Sequence, residues 1–328
     1  YIGKARSLKK RVNSYFSGKK QHAEHILEML SQARSLDISL TNTALEAAVR
    51  ESDEIKYYAP PYNRSLKDQG RELIFFSPNL DRVSTRPGPT LSLGPFPHQR
   101  SLNPLRHIMH ILNERDKKIT GGAIENILNV LPEFSPDPIC FKQGMDLIRM
   151  EYFKDRAADI GLADLKRLGV KFWKEKLETL QDSKEKQEDE EVADISDRSP
   201  AEEAPSLGWT PERIQAALRS IIRTGIFYIR RTHWFCRLCE STIIWKANNG
   251  DHYFLLKIEA GNFPAAESFE PEEKIPIPIG YKKNRLERLE CFDMGTYDRM
   301  RILTTEIRRI LSERREVKIC FSPHLTLR

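Results

Sequence analysis

The first twenty residues carry the most chemically pointed pattern in the chain. Tyr1-Ile2-Gly3-Lys4 opens it, Arg6, Lys9, Lys10 and Arg11 follow, then Tyr15-Phe16, and Lys19-Lys20 closes it. Seven of these residues are Lys or Arg and none is acidic. A short strand ending in glycine, then a basic helix holding tyrosine, suits a surface that meets a phosphate backbone. Helical spacing over 7–16 puts Leu8, Val12 and Phe16 on one apolar face. Arg11 and Tyr15, four apart, then share a neighbouring face.

The elements that must hold these residues are legible as far as Asp68. A second helix is expected over 22–33, with Ile26, Met29 and Leu30 inward. Leu36, Ile38 and Leu40 alternate with Asp37, Ser39 and Thr41, the pattern of a half-buried strand. Asn42 or Thr43 can cap the next helix, whose Leu45, Ala48, Val49, Ser52 and Ile55 face inward until Pro60-Pro61 ends it. Residues 1–70 therefore read as a small α+β unit. Residues 71–180 read as strand pieces at Glu72–Phe76 and Leu91–Leu93 followed by helices, and 207–328 as a C-terminal α+β unit. In that last unit Thr210-Pro211-Glu212 starts a helix, Asn248-Asn249-Gly250-Asp251 marks a hairpin, and a helix over 296–314 precedes a strand at Val317–Phe321.

Charge separates the remaining segment. Residues 182–203 hold ten Asp or Glu against three Lys or Arg, so 181–206 reads as an acidic, disordered linker. Without 182–203, 50 basic residues face 37 acidic ones, a modest argument for a polyanionic partner. No run approaches the ~20 apolar residues of a membrane span. The five scattered cysteines fit reduced thiols of a cytoplasmic protein rather than a disulfide framework. Cys236-x-x-Cys239 lacks a second ligand pair at short spacing, so buried thiols are expected there rather than structural zinc, and His107 and His110 invite the same reading.

Four spacings agree with one known pattern. Tyr1 is followed by Lys4, by Arg11 ten positions on, and by Tyr15; Glu51 is followed twelve positions later by Asn63, within Pro60-Pro61-Tyr62-Asn63. Arg64-Ser65-Leu66-Lys67-Asp68 and Gly94-Pro95-Phe96-Pro97 add two further matches. The segment resembles the second half of the GIY-YIG nuclease motif, in the branch around the bacterial excision-repair nuclease UvrC and its Cho-like relatives. The first half of that motif is absent, so the chain is expected to be a piece of a longer protein, one that lacks an edge strand and can itself be inactive. The UvrC cysteine cluster, tandem helix-hairpin-helix and ribonuclease-H-like domains are absent too. The strings Trp234–Glu240 and Tyr297–Arg301 resemble proteins in which a DnaQ-type exonuclease precedes the GIY-YIG unit, which implies such a domain upstream of Tyr1.

The resemblance implies a metal-dependent DNA endonuclease acting in repair by an incision like that of nucleotide excision. Tyr1 is then the base or part of a proton relay, although a free phenol titrates near ~10. Arg11 offers a planar fork to phosphate oxygens. Glu51 is a hard oxygen ligand for one divalent ion, Mg²⁺ or Mn²⁺. Lys4 adds positive charge, Tyr15 a hydroxyl, and Asn63 a polar tie that orients the site. Lys9, Lys10, Lys19, Lys20, Arg64 and Lys67 are the candidate DNA contacts, and other repair or replication proteins the candidate partners. The rivals are a non-catalytic DNA-binding or scaffolding module, against which the intact Tyr1–Arg11–Glu51–Asn63 set argues, and a restriction or homing nuclease, against which the two UvrC-like closing segments argue.

Overall fold

The computed structural model describes residues 1–17, 23–63, 71–113, 119–154, 160–184, 208–247, 252–270 and 284–321. In chain order they form α1 (Leu8–Phe16), α2 (Glu24–Gln32), α3 (Ala44–Tyr58), β1 (Ile74–Phe76), β2 (Val83–Ser84), β3 (Leu93–Phe96) and α4 (Asn103–Asn113). Then come α5 (Gly121–Leu128), α6 (Pro138–Tyr152), α7 (Leu162–Lys184), α8 (Pro211–Leu238), β4 (Ser241–Lys246) and β5 (Tyr253–Ile258). β6 (Glu267–Phe269), α9 (Arg285–Glu290), α10 (Met294–Ser312) and β7 (Val317–Phe321) complete the α+β fold. The chain divides into two compact units, Tyr1–Leu73 with Trp234–Arg328, and Ile74–His233. The boundary expected at 207 thus falls inside α8, and the C-terminal segment joins the N-terminal one.

In the first unit the helix starts follow their capping residues. Ser7 Oγ accepts the Lys10 amide at 3.4 Å and Thr43 Oγ1 the Glu46 amide at 3.2 Å. α3 ends where Ala59 turns left-handed at φ 44°, its amide still bonded to Ile55, and the prolines that follow bring no N–H to continue the helix. α3 buries Leu45, Ala48, Ser52 and Ile55, and it packs on α10. α10 in turn buries Met294, Tyr297, Met300, Leu303, Ile307 and Ile310. The antiparallel sheet runs β6-β5-β4-β7, with Ile243 opposite both Leu256 and Ile319. The turn after β5 needs glycine: Gly261 sits at φ +76°, and a Cβ there would lie 2.2 Å from Thr296 Cγ2 at the start of α10.

The second unit joins a small sheet, β2-β1-β3, to a helical core that includes Leu105, Ile108, Phe141, Met145, Ile148, Leu165, Ile214 and Ile222. Gly144 lets α6 approach α8, since a Cβ there would meet Ile214 at 2.5 Å. No helix among the described residues is long and apolar enough to cross a membrane.

Three expectations are corrected. Tyr1–Gly3 is not a strand, because the Ile2 backbone bonds to a side chain instead of a ladder. Leu36–Leu40 is extended but unpaired, and Leu36, Ile38 and Leu40 are 63%, 59% and 85% exposed instead of half-buried. Alternation sets the two faces of a strand but does not supply the neighbour that would cover one. The linker start moves as well, since α7 continues through 181–184. Residues 185–206 and the hairpin turn 248–251 lie outside the described residues, although the two flanking strands, β4 and β5, pair antiparallel with Lys246 opposite Tyr253.

Candidate active site

The N-terminal tetrapeptide is held by three separate elements. The first is the turn after α3, where the Asn63 amide bonds to Pro60 O at 3.2 Å. That turn aims a buried side chain, 8% exposed, at Ile2. Asn63 Oδ1 accepts the Ile2 amide at 2.9 Å and Asn63 Nδ2 donates to Ile2 O at 2.8 Å. This two-way bond mimics a strand partner and makes Asn63 the anchor of the segment that carries Tyr1.

The second element is α1. Arg11 donates from its terminal nitrogen to Tyr1 Oη at 3.0 Å. Its guanidinium also lies 5.2 Å from the centre of the Tyr15 ring, and the two tyrosines meet edge-to-face at 6.3 Å. The ring of Tyr1 reaches this position by folding back over Gly3, where a Cβ would stand 2.9 Å from it. Burial and hydrogen bonding to Tyr1 push the Tyr15 phenol up to about 12, against the pull of Arg11. Burial weakens the charge on Arg11, but the two tyrosine oxygens outweigh it and hold its pKa above the ordinary value. The Tyr1 oxygen therefore has a fixed cation on it and a strongly protonated phenol as neighbour.

The third element is α3. Glu51 is held by Lys4 at both oxygens: the Lys4 amide donates to Oε1 at 3.2 Å, and its ammonium lies 3.1 Å from Oε2. Glu51 keeps 18% of its side chain exposed, so the carboxylate is fixed yet reachable. Among the described residues no cluster of three His, Cys, Asp or Glu forms. The donor set here is one hard carboxylate, which suits an ion that takes its other oxygens from water and substrate phosphate, as Mg²⁺ does, and does not suit structural zinc.

Tyr1, Lys4, Arg11, Tyr15, Glu51 and Asn63 are thus brought together. Lys9 and Lys10 are exposed on α1; Lys19, Lys20, Arg64 and Lys67 lie outside the described residues. Residues 1–64 match the UvrC-like GIY-YIG domain. The chain is similar to UvrABC system protein C of Alkalilimnicola ehrlichii, 37% identical over 127 residues, which are 35% of this chain and 21% of that protein. It is also similar to that of Methanosarcina acetivorans, 46% identical over 71 residues, 22% of this chain and 14% of that protein. For the Stenotrophomonas maltophilia R551-3 protein the values are 33% over 118 residues, 34% and 19%. The chain spans at most about a fifth of the length of these curated relatives. No solved structure matches it.

Other candidates resolve differently from the GIY-YIG set. Cys236 and Cys239 are buried, and burial pushes the Cys236 thiol up to about 12 and Cys239 further. Burial and the neighbouring Arg106 lower His107. A cleft of about 270 Å³ in the second unit, lined by Lys176, Arg219 and Arg223 among others, includes none of the site residues. Sequence reasoning missed the partners of the acidic residues beside Glu51. Asp53 bonds Arg299 and Glu46 accepts the Ala266 amide at 2.7 Å. No pattern in the sequence pointed to these pairs, although Arg299 lies within the Tyr297–Arg301 string.

Proposed function

We propose that this chain carries the hydrolytic centre of a metal-dependent DNA endonuclease that incises DNA during repair. The observation that carries the reading is that Arg11 and Tyr15 meet Tyr1 at one end of the tetrapeptide while Glu51 is fixed at its other end through Lys4. Arg11 binds two non-bridging oxygens of the scissile phosphate. Tyr1, with the Arg11 guanidinium on its oxygen, takes a proton from the attacking water as general base. The water oxygen bonds to phosphorus as the opposite P–O bond breaks, and the departing alkoxide oxygen takes a proton from solvent. Glu51 would hold a divalent ion, Mg²⁺ or Mn²⁺, which would neutralise charge at the phosphate. Lys4 leaves the carboxylate and turns its ammonium to the phosphate, while Asn63 keeps Tyr1 from drifting. DNA is then the substrate, with Lys9 and Lys10 extending the contact along its backbone. Other repair proteins and an upstream exonuclease domain are the partners, in the cytoplasm.

The test is conversion of supercoiled plasmid to nicked circles, assayed in the full natural polypeptide. Nicking should need Mg²⁺ or Mn²⁺, stop with EDTA, and vanish in Glu51→Ala and in Arg11→Ala. Wild-type rates in both variants would overturn the assignment.

A further inference from the structure

The helix that carries Glu51 is gripped on two sides, and one grip comes from far outside residues 1–64. Glu51 and Asp53 are two positions apart, roughly 200° around α3. Lys4 holds Glu51, while Arg299 of α10 donates from Nε and a terminal nitrogen to Asp53 Oδ2 at 3.3 and 3.2 Å. The other terminal nitrogen of Arg299 bonds Asn262 Oδ1 at 2.6 Å, so the guanidinium spans α3 and the turn after β5. Next to it, Asp298 is fully buried and lies 2.9 Å from Lys56 Nζ at the end of α3 and 3.2 Å from Arg71. The amide of Ala266 adds a third tie, to Glu46 on the Asp53 side of α3. All these residues belong to the first compact unit.

We propose that Arg299 is a positioning residue for Glu51: with Asp298 it fixes the roll of α3 and so the place of the carboxylate that receives the divalent ion. This rests on the endonuclease reading above. A roll of ~10° would carry a side-chain tip ~5–6 Å from the helix axis through ~1 Å. That is the scale at which a misplaced catalytic group costs up to ~100-fold. The segment 234–328 is then half of the nuclease unit, supplying the wall against which the GIY-YIG helix is set. Arg299 touches no substrate and acts through Asp53 alone.

The test measures Mn²⁺ binding by electron paramagnetic resonance and the Mn²⁺ dependence of nicking, on the full chain. Arg299→Ala should weaken Mn²⁺ about tenfold, the scale of lost support for a metal ligand, while the rate at saturating Mn²⁺ falls less. Asp53→Ala should match it, and the double variant should be no worse than either single one. Arg299→Lys should recover part of the loss. If Arg299→Ala fails to fold, Asp53→Asn reads the same contact with the fold less disturbed. Folded variants with unchanged Mn²⁺ half-saturation overturn the positioning role while Glu51-dependent binding stands. Mn²⁺ binding that survives Glu51→Gln overturns the metal reading, and this inference with it.

Discussion

Asp298→Asn is the sharpest perturbation of the first unit. Asp298 is fully buried and serves Lys56, whose side chain is 13% exposed, and Arg71, 34% exposed. Arg301 lies 3.7 Å from the other Asp298 oxygen, so removing the charge leaves three cations facing a neutral amide. Breaking one partner from a buried ion pair costs about 3–5 kcal/mol. Arg71 can partly rehydrate, which brings the expected loss just below that range, to about 2–3 kcal/mol. In a unit of roughly 170 residues, each kcal/mol lowers the midpoint by about 2–4 °C, so the expected drop is about 5–10 °C. Two compact units can melt separately, so calorimetry should follow the transition that Asp298→Asn moves and leave the other in place. Asp298→Asn with Lys56→Met removes the stranded ammonium as well and should recover more than half of the loss. A drop under about 2 °C in the single variant would refute the reasoning, as would a double variant less stable than the single one.

Tyr15 should titrate late. With its phenol pushed up to about 12, the folded form holds a proton that an unfolded tyrosine releases near ~10. Its contribution to stability is therefore complete below pH ~10 and lost as pH rises toward the folded value. The absorbance step at 295 nm that disappears in Tyr15→Phe should centre near 12, and a step at or below 10 would sink this account. Cys236 and Cys239, buried and held as neutral thiols, should react slowly with Ellman's reagent until guanidinium exposes them. Fast labelling of either in the folded protein would contradict the burial argument.

What the sequence could and could not convey follows from the range of each signal. Helix caps act over three residues, so Thr43 was legible as one of two candidates, as was the stop at Pro60-Pro61. The site residues were marked as a set by their match in order and spacing to the GIY-YIG pattern. Leu36–Leu40 misled because its alternation describes the strand and says nothing of a neighbour; its apolar side chains stand exposed. Asn63 was expected as a polar tie, but that it would replace a ladder by bonding both sides of Ile2 required coordinates. The Asp53–Arg299 pair, 246 positions apart, leaves no periodic trace at all.

Helix geometry nevertheless sorts the acidic residues of α3 that composition leaves equivalent. Its apolar stripe, Leu45, Ala48, Ser52 and Ile55, faces inward. Glu51 lies about 80° from the centre of that stripe on one side and Asp53 about 120° on the other, by the 3.6-residue turn. Both have a tertiary partner, Lys4 and Arg299. Glu54 falls nearly opposite the stripe beside Arg50, and those two pair with each other at 2.7 Å across one turn. A flanking carboxylate sits where the helix meets its neighbours and is therefore placed to bind something distant. One opposite the stripe meets only solvent and its own helix, where an exposed pair is worth about 0.3–0.5 kcal/mol. By that criterion the flank positions of α3 were the places to look both for a ligand and for the residues that fix it.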